Sequence, residues 1–443
     1  MRLLLKGARL VDPASGVDGQ RDILIDGGRV VRVGVDIPAG DCGNASVVDL
    51  GRDLVVSPGL IDMHVHLREP GFEHKETIAT GTGAAVAGGF TAVACMPNTN
   101  PVNDNAAVTR FILKQAGEAR FSRVYPIGAV THASAGEQLA EIAELRAAGC
   151  VALSDDGRPV ATALLMRRAL EYGGMFGMTI IDHCEDRSLA GQGVAHEGYH
   201  AGQLGLRGIP AAAEDVMVDR DIVLAEATGS SLHIAHLSTA GALRSVRGAK
   251  ARGVRVTCEV TPHHFTLTDE RLGAPLPYDT RLKVNPPLRT AADREALVSG
   301  LADGSIDAIA TDHAPHHHDE KNVEFDLAPF GIVGLETAVS LSFDRLVHRG
   351  TITLRRLVEL LSVNPARILG VPGGRLAEGD VADLTVLAPD LQLTVSAAVM
   401  RSLSRNTPFD GWTLRGGIAA TIVGGRVRYV NPDVPAARGL EKE

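Results

Sequence analysis

Two histidines, His64 and His66, lie two residues apart in the stretch Gly59-Leu60-Ile61-Asp62-Met63-His64-Val65-His66-Leu67-Arg68-Glu69-Pro70-Gly71. In a β-strand, side chains at i and i+2 point to one face, so this pair can reach a single metal ion. Pro70-Gly71 then turns the chain. By itself such a pair fits two core histidines as well as two ligands. Partners further along shift the balance: His183 in Asp182-His183-Cys184-Glu185, His236, the pair Asp155-Asp156 in Ser154-Asp155-Asp156-Gly157, and Asp312 in Thr311-Asp312-His313-Ala314-Pro315-His316. Imidazoles and carboxylates suit zinc, and four histidines with two aspartates could hold two ions. Two such ions, ~3.5–4 Å apart, share a bridging hydroxide and need a bridging anionic side chain. No lysine occurs between Lys114 and Lys250, so a carboxylate must serve. Strand alternation lets only one of Asp155 and Asp156 face inward; Asp156 is favoured and Asp155 is the alternative.

These residues need a scaffold that brings distant segments to one point. From residue 57 onward, short apolar runs alternate with amphipathic segments. Strands are expected at 61–67, 90–96, 123–130, 151–153, 178–183, 232–236, 254–260 and 306–311. The helices between them are expected at 73–88, 104–119, 136–148, 161–172, 214–228 and 240–252, with further helices from Leu335 and Leu354. Eight such steps imply a parallel sheet closed into a (β/α)8 barrel, whose active site lies at the C-terminal ends of the strands. Each candidate falls at such an end, as do Arg68 and Asn98. A doubly wound sheet would require a glycine-rich turn following its first strand. Gly81-Thr82-Gly83 lies inside a predicted helix instead. His233 is offset by an odd number from His236 and reads as structural. His263-His264 reads as shaping the rim, Cys184 as core filler, and Glu185 as a carboxylate orienting a ligand.

Both ends of the chain have a different texture. Leu3-Leu4-Leu5, 22–25 and 29–33 are strand-like, and Asp26-Gly27-Gly28 marks a hairpin. Strand and turn patterns return at 382–387 and 418–427. Each end alone has few strands, so residues 1–57 and 373–443 are expected to build one composite β-sandwich around a barrel of residues 58–372. The long connection 259–287 is a candidate lid.

The chain of 443 residues is 45% hydrophobic and 22% charged, with a net charge of -9. That balance argues against nucleic acid or an anionic membrane as partner. Five scattered cysteines without a C-x-x-C pair exclude a zinc ribbon and fit a reducing cytoplasm. No apolar run approaches the ~20 residues of a membrane span.

The motifs His64-Val65-His66-Leu67-Arg68-Glu69-Pro70-Gly71, Met96-Pro97-Asn98-Thr99-Asn100-Pro101 and Thr311-Asp312-His313-Ala314-Pro315-His316 resemble the signatures of bacterial dihydroorotases of the long type, within the amidohydrolase superfamily. The likeness runs nearly end to end. It implies reversible closure of N-carbamoyl-L-aspartate to (S)-dihydroorotate in pyrimidine biosynthesis. It assigns zinc, one or two ions with two favoured, to His64, His66, Asp156, His183, His236 and Asp312. Substrate contacts fall to His66, Arg68, Asn98, Asn285, His316 and the backbone around Phe330-Gly331. A bridging hydroxide would attack the ring carbonyl, with Asp312 as catalytic acid and base. Arg68 offers a two-pronged donor for the substrate carboxylate. A homo-oligomer, with a dimer favoured, and an aspartate carbamoyltransferase partner are also expected. The alternatives are a cyclic amidase of the hydantoinase, dihydropyrimidinase or allantoinase kind, and an inactive scaffold subunit. The absence of a bridging lysine and the presence of Arg68 weigh against the first; the complete ligand set weighs against the second.

Overall fold

A computed structural model describes residues 2–442. Eight parallel strands form its centre: β1 (Leu60–Val65), β2 (Phe90–Cys95), β3 (Arg123–Gly128), β4 (Ala152–Leu153), β5 (Thr179–Asp182), β6 (Leu232–Ile234), β7 (Val256–Val260) and β8 (Ala308–Ile309). Each pairs with the next in chain order. The first and last meet just beyond their ends. His66 N–H donates to His313 O at 2.8 Å, and the Asp62 carboxylate accepts the Thr311 N–H at 3.1 Å. The sheet thus closes into the expected barrel.

Small residues fill the interior. Ala92, Ala94, Ala152, Ala235 and Ala308 pack with Ile61, Met63, Ile127 and Ile181. Helices cover the outside and start where short polar side chains cap them. Thr77 caps Ile78–Ala87, Asn105 caps Ala106–Ala119, Thr162 caps Ala163–Met175 and Thr239 caps Ala240–Ala251. Two predicted helices are shorter than expected. The one expected over 73–88 begins at Ile78, because Thr77 and Thr80 form a reciprocal cap. Glu76 instead turns inward to Ser402, the Leu403 N–H and His313. The one expected over 136–148 begins at Ile142, and Gly136 adopts a φ of 75° outside it.

The two ends of the chain interleave. The strand Val55–Pro58 runs parallel to Arg9–Asp12 and antiparallel to Leu384–Thr394. Six strands in that sheet and four in a second enclose a core that includes Leu3, Ile25, Val56, Leu384 and Ile422. The hairpins at Gly27-Gly28 and Gly424-Gly425 abut one another. All four glycines have positive φ, and a Cβ on Gly28 would lie 2.9 Å from Gly424 O. At Gly28 a side chain is disfavoured on both counts. No helix among the described residues is long and apolar enough to cross a membrane.

Candidate metal centre and active site

The first strand re-aims its own side chains. Ile61 and Met63 belong to the barrel interior, whereas Val65 joins the outer core. Unbroken alternation would put all three on one face. A register irregularity between Asp62 and Val65 breaks it, and His64 and His66 turn toward the barrel axis. Asp62 steadies the bend by also accepting the His64 N–H at 3.2 Å.

The other five expected ligands converge around Asp156. Its Oδ2 lies 3.6 Å from His64 Nε2 and 3.4 Å from His66 Nε2. Its Oδ1 lies 3.4 Å from His183 Nδ1 and 3.3 Å from His236 Nε2. Asp312 Oδ1 joins the first group, 3.0 Å from His66 Nε2 and 3.6 Å from His64 Nε2. His183 Nδ1 and His236 Nε2 are 2.9 Å apart. One carboxylate therefore divides its two oxygens between two clusters of nitrogen donors. All six side chains are buried. Asp155 points elsewhere: it accepts the Val130 and Thr131 N–H groups and the Thr131 hydroxyl.

The charge distribution suits a cation. Burial would lower the His64 and His183 imidazoles. Asp156 and Glu259 instead hold His64 well above its usual value. Asp156 does the same to His183, which rises to about 9. Against burial, Asp156 is held well below the usual carboxylate range by the surrounding histidines, His64 foremost. Asp312 falls to about 2, chiefly through His66. His64 Nε2 is buried without a hydrogen-bond partner.

Glu259 was not among the expected site residues. Its Oε1 lies 2.6 Å from His64 Nδ1 and its Oε2 lies 3.3 Å from His233 Nε2. His233 Nδ1 meets the Thr257 hydroxyl at 2.8 Å. His233, read as structural, thus stands behind His64 through a carboxylate. The available signal was a charge inside the apolar strand Val256-Thr257-Cys258-Glu259-Val260. A fully buried carboxylate needs a partner. Other expected ligands are braced similarly. His66 Nδ1 meets Asn98 Oδ1 at 2.8 Å. Asn285 Nδ2 lies 3.3 Å from His183 Nε2 and donates to Glu185 Oε2 at 2.9 Å. Glu185 thus reaches His183 through an amide. Of the rim pair, His264 bridges the Thr261 hydroxyl and Pro286 O. His263 is buried with Nε2 unpartnered, and burial lowers it to about 4.

Over these groups lies a cavity of about 510 Å³ lined by His66, Arg68, Asn98, Asn285, His316 and the Phe330-Gly331 turn, among others. Every expected substrate contact borders it. Arg68 donates from Nε to Pro315 O at 3.1 Å, and its Nη2 lies 3.3 Å from His316 Nε2. No carboxylate among the described residues pairs with it directly, and burial lowers its pKa to about 10. His316 Nε2 also approaches Phe330 O at 2.8 Å, which places that turn. Three site residues sit in the left-handed backbone region: Arg68 at φ 64°, His236 at 31° and Asp312 at 48°. Non-glycine residues held there cost about 1–3 kcal/mol each and cluster at functional sites.

Comparison with known proteins agrees with this geometry. Residues 52–242 match the family model described as dihydro-orotase-like, and residues 211–429 match the amidohydrolase family. A dihydroorotase of Pelotomaculum thermopropionicum is 59% identical over 96% of this chain and 98% of its own. One of Geobacter sp. (strain M21) is 54% identical over 97% and 99%, and one of Anaeromyxobacter sp. (strain K) is 57% identical over 96% and 97%. Among solved structures, the L-hydantoinase (dihydropyrimidinase) of Arthrobacter aurescens superposes with a TM-score of 0.86 at 26% identity, covering 96% of this chain and 95% of that one. Dihydropyrimidinase of Brevibacillus agri gives 0.83 at 23% identity over 98% and 97%, a likeness of fold. A closed barrel with a convergent histidine and aspartate centre, matched nearly end to end at more than half identity, places this chain in the dihydroorotase family of amidohydrolases.

Proposed function

We propose that the chain is a zinc-dependent dihydroorotase that interconverts N-carbamoyl-L-aspartate and (S)-dihydroorotate. One observation carries the reading. Asp156 splits its oxygens between two histidine pairs directly beneath a cavity that Arg68 lines.

The donor set fits a metal. It consists of imidazole nitrogens and carboxylate oxygens, and it includes the orphaned His64 Nε2. His64, His66 and Asp312 would hold one ion, His183 and His236 a second, and Asp156 would belong to both. Zinc bound there would supply a water ionising near pH ~7 and a Lewis acid for the amide carbonyl.

The protein's own groups do the rest. Asp312 stands ionised at the edge of the cavity and can accept a proton from the attacking water, then pass it to the departing ring nitrogen. In ring closure the same carboxylate works in reverse. Arg68 would grip the exocyclic carboxylate with a planar fork. Asn98 binds His66 through its oxygen, which leaves its Nδ2 free to donate to substrate. Asn285 is already donating to Glu185, so holding His183 in place is its firmer role. The Phe330-Gly331 turn closes the side of the cavity nearest His316.

A hydantoinase-like cyclic amidase is the second reading, favoured by the fold shared with the Arthrobacter aurescens enzyme. An arginine in the cavity is of little use to a ring without a carboxylate. Metal analysis joined to a substrate panel on one sample separates the two. Dihydroorotate turnover with two equivalents of metal is expected; turnover of dihydropyrimidines alone would end the first reading. We further propose that the chain is a cytoplasmic homodimer that associates with aspartate carbamoyltransferase. Light scattering of the chain alone and mixed with the transferase tests both assemblies.

A further inference from the structure

A larger cavity, of about 640 Å³, opens at the opposite end of the barrel from the metal centre. It lies where the N-terminal ends of the barrel strands meet the sandwich. Its charged lining is four arginines, Arg29, Arg123, Arg367 and Arg375, against two aspartates, Asp380 and Asp383. That leaves two positive charges on a chain whose net charge is -9.

The aspartates are already committed. Arg123 binds Asp383 through Nε at 2.6 Å and Nη2 at 3.1 Å. Arg375 binds Asp380 through two nitrogens, each at 3.0 Å. Arg29 and Arg367 have no carboxylate partner among the described residues. Arg29 donates from Nη1 to Gly379 O at 2.7 Å, and Arg367 makes one long bond to Asn364 Oδ1 at 3.4 Å. Both guanidinium groups keep most of their donors unused.

The backbone adds to this supply. The loop Gly373-Gly374-Arg375 lines the same cavity, and none of its three successive N–H groups donates to a group among the described residues. Gly373 and Gly374 have φ of 133° and 72°. A Cβ on Gly374 would stand 2.9 Å from Val363 Cα, so only glycine lets the loop lie this close to the last barrel helix. Runs of free backbone N–H groups in such conformations make concave anion sites. Tyr125, partly buried in the cavity wall, offers an aromatic face beside them.

We propose that this cavity is a second ligand site, for an organic phosphate of nucleoside-monophosphate size. The phosphate would lie between Arg29, Arg367 and the amides of residues 373–375, and the ring would lie against Tyr125. The volume falls within the ~300–1,000 Å³ of small-molecule sites. Unpaired arginines favour phosphate because their fork matches its oxygens.

The test is calorimetric titration of the metal-loaded protein with nucleoside monophosphates and with inorganic phosphate, in the presence of saturating dihydroorotate. Saturable binding of a nucleotide at one site per chain is expected. The double variant Arg29→Gln/Arg367→Gln should weaken it by about tenfold or more, while its melting temperature and its unliganded kcat/KM stay at wild-type values. Three results would overturn the assignment: no saturable binding up to millimolar nucleotide, binding that dihydroorotate abolishes, or binding that the double variant leaves unchanged. Equal affinity for inorganic phosphate and for every nucleotide would remove the ring from the assignment.

Discussion

Replacing Glu259 by glutamine removes one charge while keeping the side chain's length. Glu259 is fully buried and its Oε1 lies 2.6 Å from His64 Nδ1. That bond fixes which His64 nitrogen carries the proton and leaves Nε2 free to face the centre. Against the cost of burial, His64 and His233 hold the Glu259 carboxyl far below its ordinary range, so the wild-type bond is to a carboxylate. Hydrogen bonds to charged groups are worth about 1.5–3 kcal/mol, and each 1.4 kcal/mol is tenfold in a binding constant. A glutamine can keep a neutral bond to His64, so part of that energy survives. Metal affinity at the cluster of His64, His66 and Asp312 should fall about 10- to 100-fold, the usual range for such supporting groups. Chelator competition on the purified variant measures this directly. Excess metal should then restore most of the kcat. Circular dichroism and a melting curve establish that the fold is kept. An affinity within twofold of wild type, in a folded variant, would refute the view that this carboxylate tunes His64.

Arg68→Met should lower kcat/KM for dihydroorotate by at least about 100-fold with metal content unchanged, since it removes a charge-assisted fork and leaves the ligand set intact; loss of metal would make Arg68 part of the centre instead. Asp312→Asn should bring kcat to the background of the assay while the melting temperature stays near wild type, and near-normal turnover would take Asp312 out of the proton path. For chelator-stripped protein, His183 is raised to about 9, so its stabilising charge is fully present below its unfolded pKa of ~6.5 and is lost as pH rises toward 9. The melting temperature of the stripped protein should therefore fall over that window. Metal affinity should rise over the same window, because a bound imidazole must be neutral; a flat pair of profiles would contradict the assigned protonation. Gly331→Ala should raise KM for dihydroorotate, because Gly331 has φ 130° and its Cβ would lie 2.7 Å from Ala314 Cβ and 3.2 Å from His316 Nε2; an unchanged KM would show that the turn does not shape the substrate pocket.

The amino-acid sequence alone determined the barrel and offered its candidate ligands. Strand and helix periodicities are local, and eight repeats of one pattern leave few ways to close a sheet. That the six candidate residues would converge was legible because strand ends in such a barrel all point to one place. Joining both termini in a single sandwich was legible for a related reason, since neither end had strands enough alone. Helix starts were less so: Thr77 and Gly136 moved two of them by several residues through caps and backbone twist.

Long-range contacts decided the remainder. Alternation along β1 predicted that His64 and His66 share a face, but not that an irregularity would send Val65 outward and the histidines in. The choice of Asp156 over Asp155 rested on Thr131 and Val130 claiming the neighbour, contacts more than twenty residues distant. Glu259 and His233 looked like isolated polar residues in apolar strands until the barrel put them behind His64. Spacing reports which residues can share a face. Only the closed sheet, which sets strands from opposite ends of the chain side by side, determines which of them touch.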